Sequence, residues 1–138
     1  MNISVSQLQG KVPVTVIKMD GELDGQTYQS LIAKAREKYD EGARDFLLDL
    51  SDLAYVSSAG LVALHTVALL VRGEALPDTE AGWSSIRSVG RTNISGIQKH
   101  VKFFKPRDEI KNVLDMVGFS NAFEIHDDLD QAVNSFQP

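Results

Sequence analysis

The run Phe46-Leu-Leu-Asp-Leu-Ser-Asp-Leu-Ala-Tyr-Val-Ser-Ser-Ala-Gly-Leu-Val-Ala-Leu64 constrains the fold more than any other part of the chain. Its opening, Phe46-Leu-Leu-Asp-Leu50, is a short apolar block bounded by turn formers, the pattern of a central strand covered on both faces. Leu61, Leu64, Val67, Ala68 and Val71 then recur at helical spacing, which predicts a helix from Ser57–Ser58 to about Arg72-Gly73. A buried strand passing through a short turn into an apolar helix requires a sheet with helices packed on it.

The flanking segments extend this pattern. Residues 3–8 and 11–19 alternate loosely and meet at Gln9-Gly10, which predicts a hairpin with Val12, Val14, Val16 and Met19 or Ile17 facing inward. Gly21-Glu-Leu-Asp24 reads as a turn, with Asp24 as N-cap of a helix carrying Tyr28, Leu31, Ile32, Ala35 and Tyr39. Gly42 stops that helix. Further on, Val101-Lys-Phe-Phe-Lys105 reads as a strand closed by Pro106. Asp108 then caps a helix using Ile110, Val113, Leu114 and Val117, and Gly118-Phe119 forms its C-terminal cap. Ala122-Phe-Glu-Ile125 reads as a last strand, and Asp127 or Asp128 starts a helix with Leu129, Ala132, Val133 and Phe136. Strands alternating with helices predict an α/β fold: a four-to-five-stranded, mostly parallel sheet with an N-terminal antiparallel hairpin edge and about four helices. The stretch 73–98 holds Pro77 and four glycines but few apolar residues, so it reads as a long inserted loop, pinned by Trp83 and Ile86, in a single domain spanning 1–138.

Composition narrows the function. With 138 residues, 43% hydrophobic and 24% charged, the chain suits one soluble domain. The absence of cysteine excludes disulfides, thiolate metal sites and cysteine nucleophiles. No apolar stretch is long enough to span a membrane and Met1-Asn-Ile-Ser-Val-Ser lacks a signal-peptide pattern, so a cytoplasmic protein is expected. A net charge of −5 argues against direct nucleic-acid binding. Between Arg87 and Arg107, however, the charged residues are Arg87, Arg91, Lys99, Lys102, Lys105 and Arg107, all positive. They are either scattered solvated charges or a patch for an acidic partner.

The polar residues name no enzyme. His65, His100 and His126 lie far apart without metal-ligand spacing. The serine pair lacks the glycine of a nucleophile elbow, and no phosphate-loop motif is present. No cofactor, metal site or catalytic group is expected. What remains is Ser57-Ser-Ala-Gly60, small residues at a helix start beside unpaired N–H groups and the positive end of the dipole. One serine can be a plain N-cap, contributing about 1 kcal/mol. A hydroxyl there can also accept a phosphate, adding roughly −1.5 to −2 charge. On local grounds the two readings stand even.

Taken together, these pieces resemble the STAS domain of bacterial anti-sigma-factor antagonists. Gly21-Glu-Leu-Asp24 is similar to that family's turn before its first helix. Asp49-Leu-Ser-Asp-Leu-Ala-Tyr-Val-Ser-Ser-Ala-Gly-Leu61 is similar to its signature, D-L-S-x-[apolar]-x-[FY]-[apolar]-D-S-[ST]-G-L, and Gly118-Phe119 also fits. The resemblance covers roughly residues 3–70 and 99–136. It implies a non-catalytic signalling domain that binds an anti-sigma factor that is also a serine kinase, and loses it on phosphorylation. By position the acceptor is Ser58, with Asp24, Ser57, Ala59 and Gly60 on the partner surface and Gly60 keeping the helix start open. Two positions depart from the family pattern: Ser57 replaces the aspartate and Ala59 the following Ser or Thr. A constitutive interaction module using the basic segment, or a small-ligand or anion-binding domain using the same helix start, are the rival readings. The sequence is silent on oligomeric state.

Overall fold

The hairpin forms as its alternation requires, but is longer on its second arm. Strand β1 (Asn2–Gln9) pairs antiparallel with β2 (Pro13–Leu23), from Asn2 opposite Asp20 to Gln9 opposite Pro13. The computed structural model describes residues 1–72 and 98–138. Helix α1 (Tyr28–Asp40) comes next, then β3 (Phe46–Val56) and helix α2 (Ser58–Val71). Beyond the segment 73–97 come β4 (Val101–Phe104), α3 (Asp108–Met116), a single 3-10 turn at Phe119–Asn121, β5 (Ile125–His126) and α4 (Leu129–Asn134). The sheet order is β1-β2-β3-β4-β5, with only the first pair antiparallel. This is the mixed α/β fold with a hairpin edge that the sequence predicts.

Period-two alternation divides the core between the two faces of the sheet. Ile17 and Met19 of β2, with Phe46 and Leu48 of β3, join Leu31 and Ala35 of α1 and the apolar side of α2 in the larger cluster. Val14, Val16 and Leu47 point the other way and pack on Ala132, Val133 and Phe136 at the C-terminal helix. Residues 14–17 of β2 are therefore all buried, as a strand covered on both faces must be. At the far side, Phe103 stacks on Phe123 with ring centroids 4.5 Å apart, and Phe119 leans on Phe123 at 5.4 Å.

Several local expectations are corrected. Gly21-Glu-Leu23 is strand, not turn: β2 continues through it, with Gly21 at φ +124° opposite Leu53. The register of β2 against β3 shifts twice, between Lys18 and Asp20 and between Gly21 and Glu22, each time adding one residue to β3. Such bulges twist a strand locally and re-aim the residues beyond them. The last strand is only Ile125–His126, because Phe119–Asn121 forms the 3-10 turn and Phe123 is drawn into the core. Asp108 is not a cap; Arg107 holds the N-cap position without a side-chain bond, and Asp108 and Glu109 occupy the first turn. Gly42 and Gly118 do terminate their helices, at φ +111° and +83°. Asp128 caps α4 by accepting from the Gln131 N–H. The expected insertion and its anchors Trp83 and Ile86 lie outside the described residues, except Gln98. That residue is buried, and its backbone N–H donates to the Ala122 carbonyl at 2.8 Å.

Candidate functional site

The end of β3 and the start of α2 are joined by one extended residue. Ser57, at φ −91° and ψ 178°, is the N-cap of α2: its hydroxyl accepts from the Gly60 N–H at 3.2 Å, and its carbonyl accepts from the Leu61 N–H at 3.0 Å. Ser58 is the first helical residue, half-buried, and among the described residues its hydroxyl has no hydrogen-bond partner. The two serines thus divide the two roles that their sequence left even. One closes the helix and the other presents an uncommitted hydroxyl. The N–H groups of Ser58 and Ala59 lack acceptors within the helix, so an anion attached to Ser58 has donors and the positive end of the dipole close by.

The capping role also accounts for Ser57 standing where the STAS signature that the segment resembles has aspartate. Serine and aspartate are nearly equal N-caps. Ser57→Asp is expected to keep the stability of α2, changing unfolding free energy by no more than about 0.5 kcal/mol, while Ser57→Ala lowers it by about 1 kcal/mol. Urea denaturation of the two variants checks this; equal losses would show that the hydroxyl caps nothing.

Asp24 comes to the same end of the sheet. It is not the N-cap of α1, a position held by Thr27 without a side-chain cap bond. Instead its carboxylate accepts from the N–H groups of Gln26 at 2.9 Å and Thr27 at 3.2 Å, shaping the turn that leads into the helix. The Thr27 hydroxyl donates to the Glu22 carbonyl at 2.7 Å and accepts from the Asp24 N–H at 2.9 Å, tying the turn back to β2. The link to the serines is the Leu23 carbonyl, which accepts the Ser57 N–H at 2.9 Å. Asp24 therefore begins directly beside the cap.

Gly60 has a packing role that its sequence reading missed. It is buried, and a Cβ built on it would lie 2.4 Å from the Leu23 carbonyl oxygen and 2.7 Å from Val56 Cγ2. Glycine is needed here for the helix to approach the end of β2, rather than to clear a path from solvent. Ala59 is half-buried next to it. Tyr55, which the sequence singles out only as part of the signature, is 52% exposed three residues before Ser58. The irregular spacing of buried Leu53 and Val56 signals it, since the bulge between them turns Tyr55 outward.

Among the described residues, Lys102 of the basic segment does not belong to a surface patch. Arg87 and Arg91 lie outside the described residues, and Lys102 is only 3% exposed. Its ammonium donates to the Ser135 carbonyl at 3.1 Å and hydroxyl at 3.0 Å, pairs with Glu124 at 3.2 Å and faces the Phe136 ring. Burial raises the affinity of the Glu124 carboxyl for a proton, but hydrogen bonds from Lys102 and His126 outweigh it and hold the group below the usual carboxylate range. Lys99, Lys105 and Arg107 are exposed, with Arg107 donating to the Ser51 carbonyl at 3.2 Å. His65 is buried within α2. No helix among the described residues is long and apolar enough to cross a membrane.

A STAS-domain family model matches residues 6–74, the stretch that runs from the hairpin through the serine turn and all of α2. The chain belongs to the STAS domain family. Solved structures extend the likeness of fold over nearly the whole chain. The anti-sigma-factor antagonist SpoIIAA in its unphosphorylated form matches at a TM-score of 0.53 and 16% identity, covering 95% of this chain and 93% of that one. The Bacillus SpoIIAA in its phosphorylated form matches at 0.61 and 14% identity, covering 96% and 97%. An anti-sigma-factor antagonist from Mycobacterium paratuberculosis matches at 0.62 and 16% identity, covering 97% and 93%. No curated protein matches the sequence. In this STAS domain the signature segment lies on β3, the serine turn and the first turn of α2.

Proposed function

We propose that this STAS domain is a non-catalytic cytoplasmic switch of the anti-sigma-factor-antagonist kind. It binds an anti-sigma factor that is also a serine kinase through the start of α2, and releases it when Ser58 is phosphorylated. One observation carries the reading: Ser57 supplies the side-chain cap and leaves the half-buried Ser58 hydroxyl without a hydrogen bond among the described residues. The solved SpoIIAA structures, in unphosphorylated and phosphorylated forms, support the same reading by fold.

The switching logic is electrostatic. No acidic or basic residue stands in the first turn of α2, and the exposed neighbours Ala54 and Tyr55 are uncharged. A partner packs on that surface against a hydroxyl. Phosphorylation replaces the hydroxyl with a dianion held by the helix start, and a docked acidic or apolar surface must then meet its charge without water. Asp24, next to the cap, adds a second negative group to that repulsion.

The test uses an anti-sigma kinase captured with the chain and incubated with ATP. Phosphate is expected on Ser58 alone. Ser58→Ala should bind like the wild type and resist modification, whereas Ser58→Asp should bind at least about tenfold more weakly, or 1.4 kcal/mol. Equal binding by all three proteins would overturn the switch at this residue. The basic segment supports the rival constitutive surface less well, because Lys102 is committed inside the fold.

A further inference from the structure

The two edges of the sheet differ in how they are protected. At one edge β5 is two residues long, too short to template another strand. At the other, β1 runs for eight residues, and among the described residues nothing pairs with its outer side. Edge strands are usually guarded by charged side chains, proline or a bulge. β1 has none of these. Residues 1–10 contain no Asp, Glu, Lys, Arg or Pro, and its register with β2 is unbroken from Asn2 to Gln9. Ile3 and Val5 lie against the larger core but stay only half-buried. Beside them runs an open groove lined by Val5, Gln7, Thr15, Lys38, Glu41 and Ala43, between the hairpin and the end of α1.

We propose that the outer edge of β1 is a self-association surface, on which a second copy of this chain pairs antiparallel about a two-fold axis and joins the two sheets into one. The occupant is set by the strand itself. A two-fold axis perpendicular to the sheet keeps each face on its own side, so opposed residues must point the same way. Pairing Val5 with Val5 of the second copy meets this condition. Ser4 then faces Ser6, and Ile3 faces Gln7 above the groove, so each copy's half-exposed isoleucine is covered by the other. Two copies each carrying net charge −5 repel at most surfaces, but this edge sets no like charges opposite one another.

The association is separate from the Ser58 switch. Asn2 pairs with Asp20 and Met1 lies against Gly21, so the start of β1 is at the Asp24 and Ser58 end of the sheet. The two-fold places the two switch sites at opposite ends, both uncovered.

Sedimentation velocity of the full chain across a wide concentration range tests the proposal. The wild type and Ser58→Asp should both dimerise. Ser4→Lys with Ser6→Lys, two exposed positions, should stay folded by circular dichroism and self-associate at least about tenfold more weakly. The matching Ser4→Glu with Ser6→Glu protein should be equally weak alone, and mixing the two should restore a heterodimer. In the wild type, hydrogen exchange at β1 amides should slow as concentration rises, a readout that needs no variant. A wild type that stays monomeric throughout, a lysine protein that dimerises normally, or a mixture that fails to recover would each overturn the proposal.

Discussion

Gly60→Ala is expected to lower the unfolding free energy by about 2 kcal/mol. Two effects of opposite sign set this figure. Alanine is a better helix former than glycine by about 1 kcal/mol, which favours the variant. Against this, the new methyl would lie 2.4 Å from the Leu23 carbonyl oxygen and 2.7 Å from Val56 Cγ2, and a backbone oxygen cannot swing aside as a side chain can. Over-packing of this kind costs up to about 3 kcal/mol, so the clash wins. Gly25 is the matched control, because nothing lies within 4 Å of a Cβ built there. Gly25→Ala should stay within about 0.5 kcal/mol of wild type. Urea unfolding with an unchanged slope reads both. If alanine at position 60 proves neutral or stabilising, α2 does not lie as close to β2 as described.

Phe103→Ala should have the larger effect, a loss of about 3–5 kcal/mol. The ring is fully buried on β4 and stacks at 4.5 Å, 20° from parallel, on Phe123, which in turn touches Phe119. Removing it leaves a cavity under the 3-10 turn and takes away the ring that Phe123 packs against. The damage should concentrate at the β4–β5 side of the sheet, because Phe103 is the residue paired with Ile125. Hydrogen exchange should therefore accelerate first in β4 and at Ile125–His126, while the β1–β2 hairpin keeps its protection. Thermal unfolding measures the total. A loss below about 1 kcal/mol would mean the site can collapse around the missing ring, contrary to the packing seen.

These residues also show where sequence reasoning succeeds. Strand and helix order was legible because the signals are local: apolar blocks at Phe46–Leu50, helical spacing from Tyr28 to Tyr39, and glycines at 42 and 118 that only a helix end explains. The serine pair was legible as the start of α2 for the same reason. What failed depended on contacts across the chain or on backbone geometry. Gly21-Glu-Leu23 carries turn residues yet is held in the sheet by pairing with residues more than thirty positions away. Lys102 reads from sequence as either a solvated charge or part of a basic patch, and neither holds because its partners Ser135 and Glu124 come from other elements. Gly60 was read as an opening, whereas the closeness of the Leu23 carbonyl depends on how α2 seats on β2. Which serine caps the helix and which is left over is likewise decided by a single bond, Gly60 N–H to Ser57.

The Leu23 carbonyl receives the Ser57 N–H at 2.9 Å and lies against Gly60, at the last residue of the strand that leads into Asp24. The start of α2 and the root of the neighbouring loop are thus one rivet. A molecule that levers on either loop must drag the other with it, so this rim of the domain is a plate rather than two independent fingers.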